Sequence, residues 1–123
     1  MNKATLVTRL LLGLMLVVFG MNGFLNFLPQ PEMGPEAGGF MGALVSTKFY
    51  FPVIKAIEVL AGISFLINKK VAFAAIAVFP VMVAAFLFHL GLDISGIGGA
   101  AVALTFNVIL IIGNKEKYLP MWA

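Results

Sequence analysis

Four ionisable side chains interrupt otherwise apolar stretches of this sequence: Arg9, Lys55, Glu58 and His89. Asn22, Asn26 and Asn107 accompany them as neutral polar groups. Between them they could accept, donate or exchange protons with a small polar head group. Glu58 is the most demanding, because an ionised carboxylate alone in an apolar medium is very unfavourable and must be paired or protonated. Two partners are available to it. Lys55 stands three residues earlier on the same helical face. Arg9 lies on a different apolar run but has the reach. Arg9–Glu58 is the preferred pair and Lys55–Glu58 the local rival. One histidine and no cysteine argue against a metal site and exclude disulfides and thiolate chemistry. No Ser-His-Asp arrangement is credible, and "GIGG" at 96–99 is too small for a phosphate loop.

These polar groups matter because of what surrounds them. The 123 residues are 62% hydrophobic and 11% charged, against about 45–50% and about 25% in soluble domains. So few charges cannot cover a water-facing surface, and lipid must be the solvent. At roughly 20 apolar residues per span, this length allows four or five spans and a single domain. The net charge of +3 sits in short segments at the ends of apolar runs. That is the pattern of a topology signal, so no nucleic-acid partner is expected.

The spans predicted are about 4–28, 51–67, 71–90 and 97–113. Pro29 is expected to end the first. Lys3 and Arg9 before an apolar run also fit a signal peptide, but no A-x-A-like site follows. Residues 29–39, with three prolines and three glycines, read as a loop. "FMGALVSTKFY", 40–50, suits a short interfacial helix leading into the second span. Pro52 suits a first helical turn, and Pro80 is placed to kink the third span. Residues 91–99 read as a tight connector, and Tyr118 and Trp122 suit an interfacial belt. The predicted fold is an all-α, integral membrane four-helix bundle with an external loop and a short interfacial helix between helices 1 and 2.

With four spans, Lys3 and Arg9, then Asn68, Lys69 and Lys70, then Lys115 and Lys117 fall on one face. The positive-inside rule assigns that face to the cytoplasm. Glu32, Glu36 and Asp93 mark the opposite face, with Lys48 as the exception.

Helical spacing sorts the spans into faces. Arg9, Gly13, Leu16, Gly20, Gly23 and Phe27 share one, and its glycines invite close backbone approach. Lys55, Glu58, Gly62 and Phe65 share another. Ala75, Val78, Met82, Phe86 and His89 form the third, and Ala100, Ala103, Asn107 and Leu110 the fourth. Four such faces can close around one interior. At about 1.5 Å per residue, Arg9 lies roughly 8 Å from the cytoplasmic end and Glu58 roughly 14 Å. Lys55, Glu58 and His89 are expected to share a cavity in the outer half, with Asn22, Asn26 and Asp93 as further candidate lining and 40–50 as a partial roof. The competing expectation is that Arg9 and Lys55 snorkel to headgroups, His89 is interfacial, and Phe and Met fill a dry interior.

Three stretches resemble the DoxX-like family of small four-span membrane proteins. "TRLLLGLMLVVFGMNGFLNFL" is similar to its first helix, with an arginine near the start of a glycine-punctuated run. "AIEVLAGISFLINKK" is similar to its second, where a glutamate precedes a small-residue turn and a basic loop. "AAFLFHLG" is similar to the end of its third, which often carries a histidine. By position the resemblance carries over Arg9, Glu58 and His89. It implies a bacterial cytoplasmic (inner) membrane subunit of a redox-linked complex. A protein partner subunit or homo-oligomer and a quinone, with no covalently bound cofactor, are implied with it. The family's named member serves a thiosulfate:quinone oxidoreductase; without cysteine, no persulfide or thiolate step could occur on this chain. The ligand-binding candidates are Arg9, Lys55, Glu58, His89, Asn22 and Asn26. The alternatives are a non-catalytic accessory or scaffold protein and a small transporter.

Overall fold

A computed structural model describes residues 2–28 and 32–122. Pro29, the expected end of the first span, and the first part of the expected loop lie outside the described residues. Helix α1 spans Lys3–Leu25, capped by the Asn2 side chain, which accepts from the Thr5 N–H at 2.8 Å. It ends three residues short of the expected span. Asn26 adopts the left-handed conformation at φ 51°, and the Asn22 side chain accepts from the Leu28 N–H at 2.7 Å. Asparagine tolerates that backbone geometry, and the Asn22 carbonyl and side chain together satisfy N–H groups beyond the helix end.

Helix α2 spans Pro35–Ser46, so it begins inside the expected loop and stops before residue 50. Pro35 supplies a preset φ at the first helical position, and the Glu36 carboxylate complements the helix N-terminus. That local chemistry outweighs the glycines at 38 and 39. The Thr47 hydroxyl then accepts from the Tyr50 N–H at 3.1 Å and hands the chain to α3.

Helices α3 (Tyr50–Ile67), α4 (Val71–Gly91) and α5 (Ile97–Gly113) lie within a residue of the expected spans. Helix α4 continues through Pro80. A 3₁₀ turn, Ile94–Gly96, precedes α5, and a short α6 (Lys115–Tyr118) with a second 3₁₀ turn, Leu119–Trp122, follows it. The "NKK" turn closes in three residues. Asn68 caps α3 at φ 58°, its own N–H and that of Lys69 pointing to the Ser64 carbonyl. Lys70, also at φ 58°, starts α4.

No strand occurs among the described residues, and the chain is all-α. Four segments are long and apolar enough to cross a membrane: Lys3–Leu25, Tyr50–Ile67, Val71–Gly91 and Ile94–Gly113. They pack as a ring in which α1 touches α3 and α5, and α4 touches the same two. Leu12, Phe65, Ala75, Val78 and Leu110 fill its centre, while Leu60, Phe73 and Leu87 face outward, where lipid suits them.

The tightest contact is the antiparallel seam of α1 and α3. A Cβ at Gly62 would stand 2.8 Å from the Gly13 carbonyl oxygen, and one at Gly13 would stand 3.0 Å from that of Gly62. Close backbone approach of this kind gives packing attraction where lipid removes any hydrophobic drive between helices. At the basic end, α6 folds back and the Tyr118 hydroxyl donates to the Ala72 carbonyl at 2.7 Å. Burial there pushes the phenol above its ordinary value.

Candidate ligand cavity

The polar side chains separate into two layers. At the basic end, Arg9 is 6% exposed and donates through Nη1 to the Phe65 carbonyl. Asn107, fully buried, donates to the Ala75 carbonyl at 3.0 Å. Both close helix–helix contacts through main-chain oxygens. Arg9 Nε and Asn107 Oδ1 are buried without a hydrogen-bond partner among the described residues.

Arg9 therefore does not pair with Glu58, and the preferred pairing is corrected. The carbonyl it uses belongs to Phe65, seven residues from Glu58, or about 10 Å along α3. Lys55, one turn away on the same face, reaches first. Its Nζ lies 3.0 Å from Glu58 Oε2. The lysine stem is laid against α1, where a Cβ at Gly23 would come within 2.5 Å of Lys55 Cγ. The ammonium also stands 5.3 Å from the Phe51 ring centroid. Neither Arg9 nor Lys55 is a side chain reaching for headgroups: one is buried, the other paired.

Glu58 is 8% exposed. Lys55 meets Oε2 as an ion pair, and that oxygen is sealed from the surroundings with no further donor among the described residues. Around this pair lies a cavity of about 320 Å³. Lys55, Glu58 and His89 line it together, and Met15, Leu16, Phe19 and Met82 supply apolar walls. Gly96, Gly99, Ala100 and Ala103 bound it from the 3₁₀ turn and the start of α5. Residues 40–50 do not line it, which corrects the expected roof. Helix α2 packs on α3 and places Phe40 against Phe88, ring centroids 5.5 Å apart.

His89 reaches the cavity from the last turn of α4. Its Nδ1 lies 3.0 Å from the Asp93 carbonyl oxygen and 3.6 Å from Asp93 Oδ2. The imidazole rests on Gly96, where a Cβ would occupy the space of the ring. Gly96 is thus a site residue that the sequence shows only as part of a connector. Gly23 had a visible signal, its place on the small-residue stripe of α1.

Asn22 and Asn26 stand at the end of α1, engaged in ending that helix, and are not among the lining residues. A second concavity, of about 280 Å³, is bounded only by consecutive residues from Ile112 to Lys117. One stretch of chain cannot enclose a ligand, so the α1–α3–α4–α5 cavity is the better candidate. No group of three His, Cys, Asp or Glu able to hold a metal occurs among the described residues. The cavity can offer an ammonium–carboxylate pair, an imidazole and soft apolar walls, the means to fix an uncharged polar head on an apolar body.

Comparison with known family models, characterised proteins and solved structures finds no match to this chain.

Proposed function

We propose that this chain is a small integral membrane subunit of a redox-linked, DoxX-like complex. In this reading the cavity holds the head group of a quinone-like amphiphile. The observation that carries the reading is the convergence of Lys55, Glu58 and His89 on one cavity walled by Met15, Phe19 and Met82. Ionisable groups within a membrane bundle are unfavourable unless something uses them. Lys55 and His89 would hydrogen-bond the head group while the apolar walls take its ring. The complex would sit in the bacterial cytoplasmic membrane, with both termini and Lys69–Lys70 inside, so the cavity would open toward the outer half.

Mass spectrometry of lipid extracted from gently purified protein tests the ligand. A co-purifying quinone, lost in Lys55→Met, is the expected result. Extracts with no quinone above the level of an unrelated four-span protein would count against it. The accessory-protein reading would then gain weight, favoured by Gly38, Gly39 and Gly42 on α2, which have open space around them. Orientation is tested separately. The chain has no cysteine, so Glu36→Cys provides a single thiol. It should react with an impermeant reagent in intact cells; reaction only after lysis would invert the topology.

A further inference from the structure

The hydrogen-bonding state of His89 bears on which form of such a ligand the cavity takes. Nδ1 faces two oxygens of Asp93, the carbonyl at 3.0 Å and Oδ2 at 3.6 Å. A carbonyl and a carboxylate both accept, so Nδ1 holds the ring proton. The lone pair of the neutral ring is then on Nε2, which has no hydrogen-bond partner among the described residues, on a side chain that lines the cavity. Glu58 adds a second acceptor. Its Oε2 is sealed beside Lys55, and the residue lines the cavity, with no hydrogen bond to Oε1 among the described residues. Lys55 can donate to a hydroxyl oxygen as well as to a carbonyl, so it favours neither. Met15, Phe19 and Met82 offer soft, polarizable contact suited to a flat ring.

We infer that the cavity selects an aromatic head group carrying hydroxyl donors, binding the quinol form in preference to the quinone, with His89 Nε2 and the Glu58 carboxylate accepting from its hydroxyl groups. A quinone could take a bond from Lys55, but its carbonyl oxygens have no proton to give His89 Nε2 or Glu58, and an acceptor facing an acceptor is a heavier loss than a missing hydrogen bond. This rests on the amphiphile reading above and adds which redox form is held.

The test uses the full chain in phosphatidylcholine nanodiscs, anaerobically at pH 8. Decylubiquinol and decylubiquinone are titrated separately, and binding above that of empty discs is read by mass spectrometry. The quinol should bind about tenfold more tightly, as expected for hydrogen bonds to strong acceptors. His89→Phe should remove most of the preference by weakening the quinol alone, leaving what Glu58 contributes. His89→Gln, which keeps an acceptor, should retain part of the preference, and Glu58→Gln should narrow it. Melting curves establish that each variant is folded, and if His89→Phe is not, the two glutamine variants decide. Equal binding of both forms, or tighter binding of the quinone, overturns this inference and leaves the amphiphile reading standing. Binding of neither form overturns both. If dioleoylglycerol binds and the quinol does not, the hydroxyl belongs to a lipid and the aromatic assignment falls.

Discussion

The two ends of the bundle hold similar numbers of polar side chains and use them differently. At the basic end Arg9, Asn107 and Tyr118 each donate to a main-chain carbonyl, those of Phe65, Ala75 and Ala72. These bonds tie one helix to the next within a packed interior. At the acidic end the side chains pair with residues three or four positions away on their own helix or just beyond it, Lys55 with Glu58 and His89 with Asp93. Those pairs tie no two helices together, and they surround a space instead of filling it. Burial alone does not separate the two groups, since Glu58 is almost as enclosed as Arg9. What separates them is whether a polar atom is directed at another helix or at a cavity. That criterion transfers to other membrane bundles, where every internal polar residue otherwise looks functional.

The largest effect should come from the seam that holds the closed part together. In Gly62→Val the new Cβ would meet the Gly13 carbonyl oxygen at 2.8 Å and the Val17 nitrogen at 2.9 Å. Backbone atoms cannot swing aside, so a loss of about 3 kcal/mol or more is expected in thermal or denaturant unfolding in detergent. Gly99→Ala, on the cavity wall with open space around it, should stay within about 0.5 kcal/mol. Equal losses at the two glycines would erase the contrast between the ends.

Double-mutant cycles sharpen it next. Lys55→Met with Glu58→Gln should show a coupling of about 1–3 kcal/mol, whereas Arg9→Ala with Glu58→Gln should be additive within about 0.5 kcal/mol. Coupling in the second cycle would restore an Arg9–Glu58 pair and contradict the observed geometry. Asn107→Ala should lower stability by about 1 kcal/mol, the scale of an interhelical hydrogen bond in a membrane, while leaving ligand binding unchanged; a loss of binding would move Asn107 into the site. The smallest effect has the opposite sign. Lys70 holds φ at 58°, a conformation glycine adopts freely, so Lys70→Gly should raise stability by up to about 1 kcal/mol. A decrease would mean that the lysine side chain contributes at that turn.

Much of this architecture was determined by the sequence alone. Lipid as solvent, the number of spans, three of the four span boundaries and most of the four interior faces follow from composition and helical period, because a membrane requires every segment to satisfy its own backbone; Phe27, expected on the α1 face, instead lies beyond the helix end and is exposed. The convergence of Lys55, Glu58 and His89 followed from the same periodicity. The tertiary structure decided what periodicity cannot express. It chose Lys55 over Arg9 as the partner of Glu58, because reach depends on how far one helix slides along another. It made Asn22 and Asn26 helix-ending residues, because a side chain's nearest unsatisfied N–H outweighs its helical face. It bounded the cavity with Gly96 and α5 instead of residues 40–50, because α2 packs on α3 with Phe40 against Phe88. The Lys55–Glu58 pairing and the cavity lining were set by ångström-scale offsets between elements, and residue order alone does not specify those offsets.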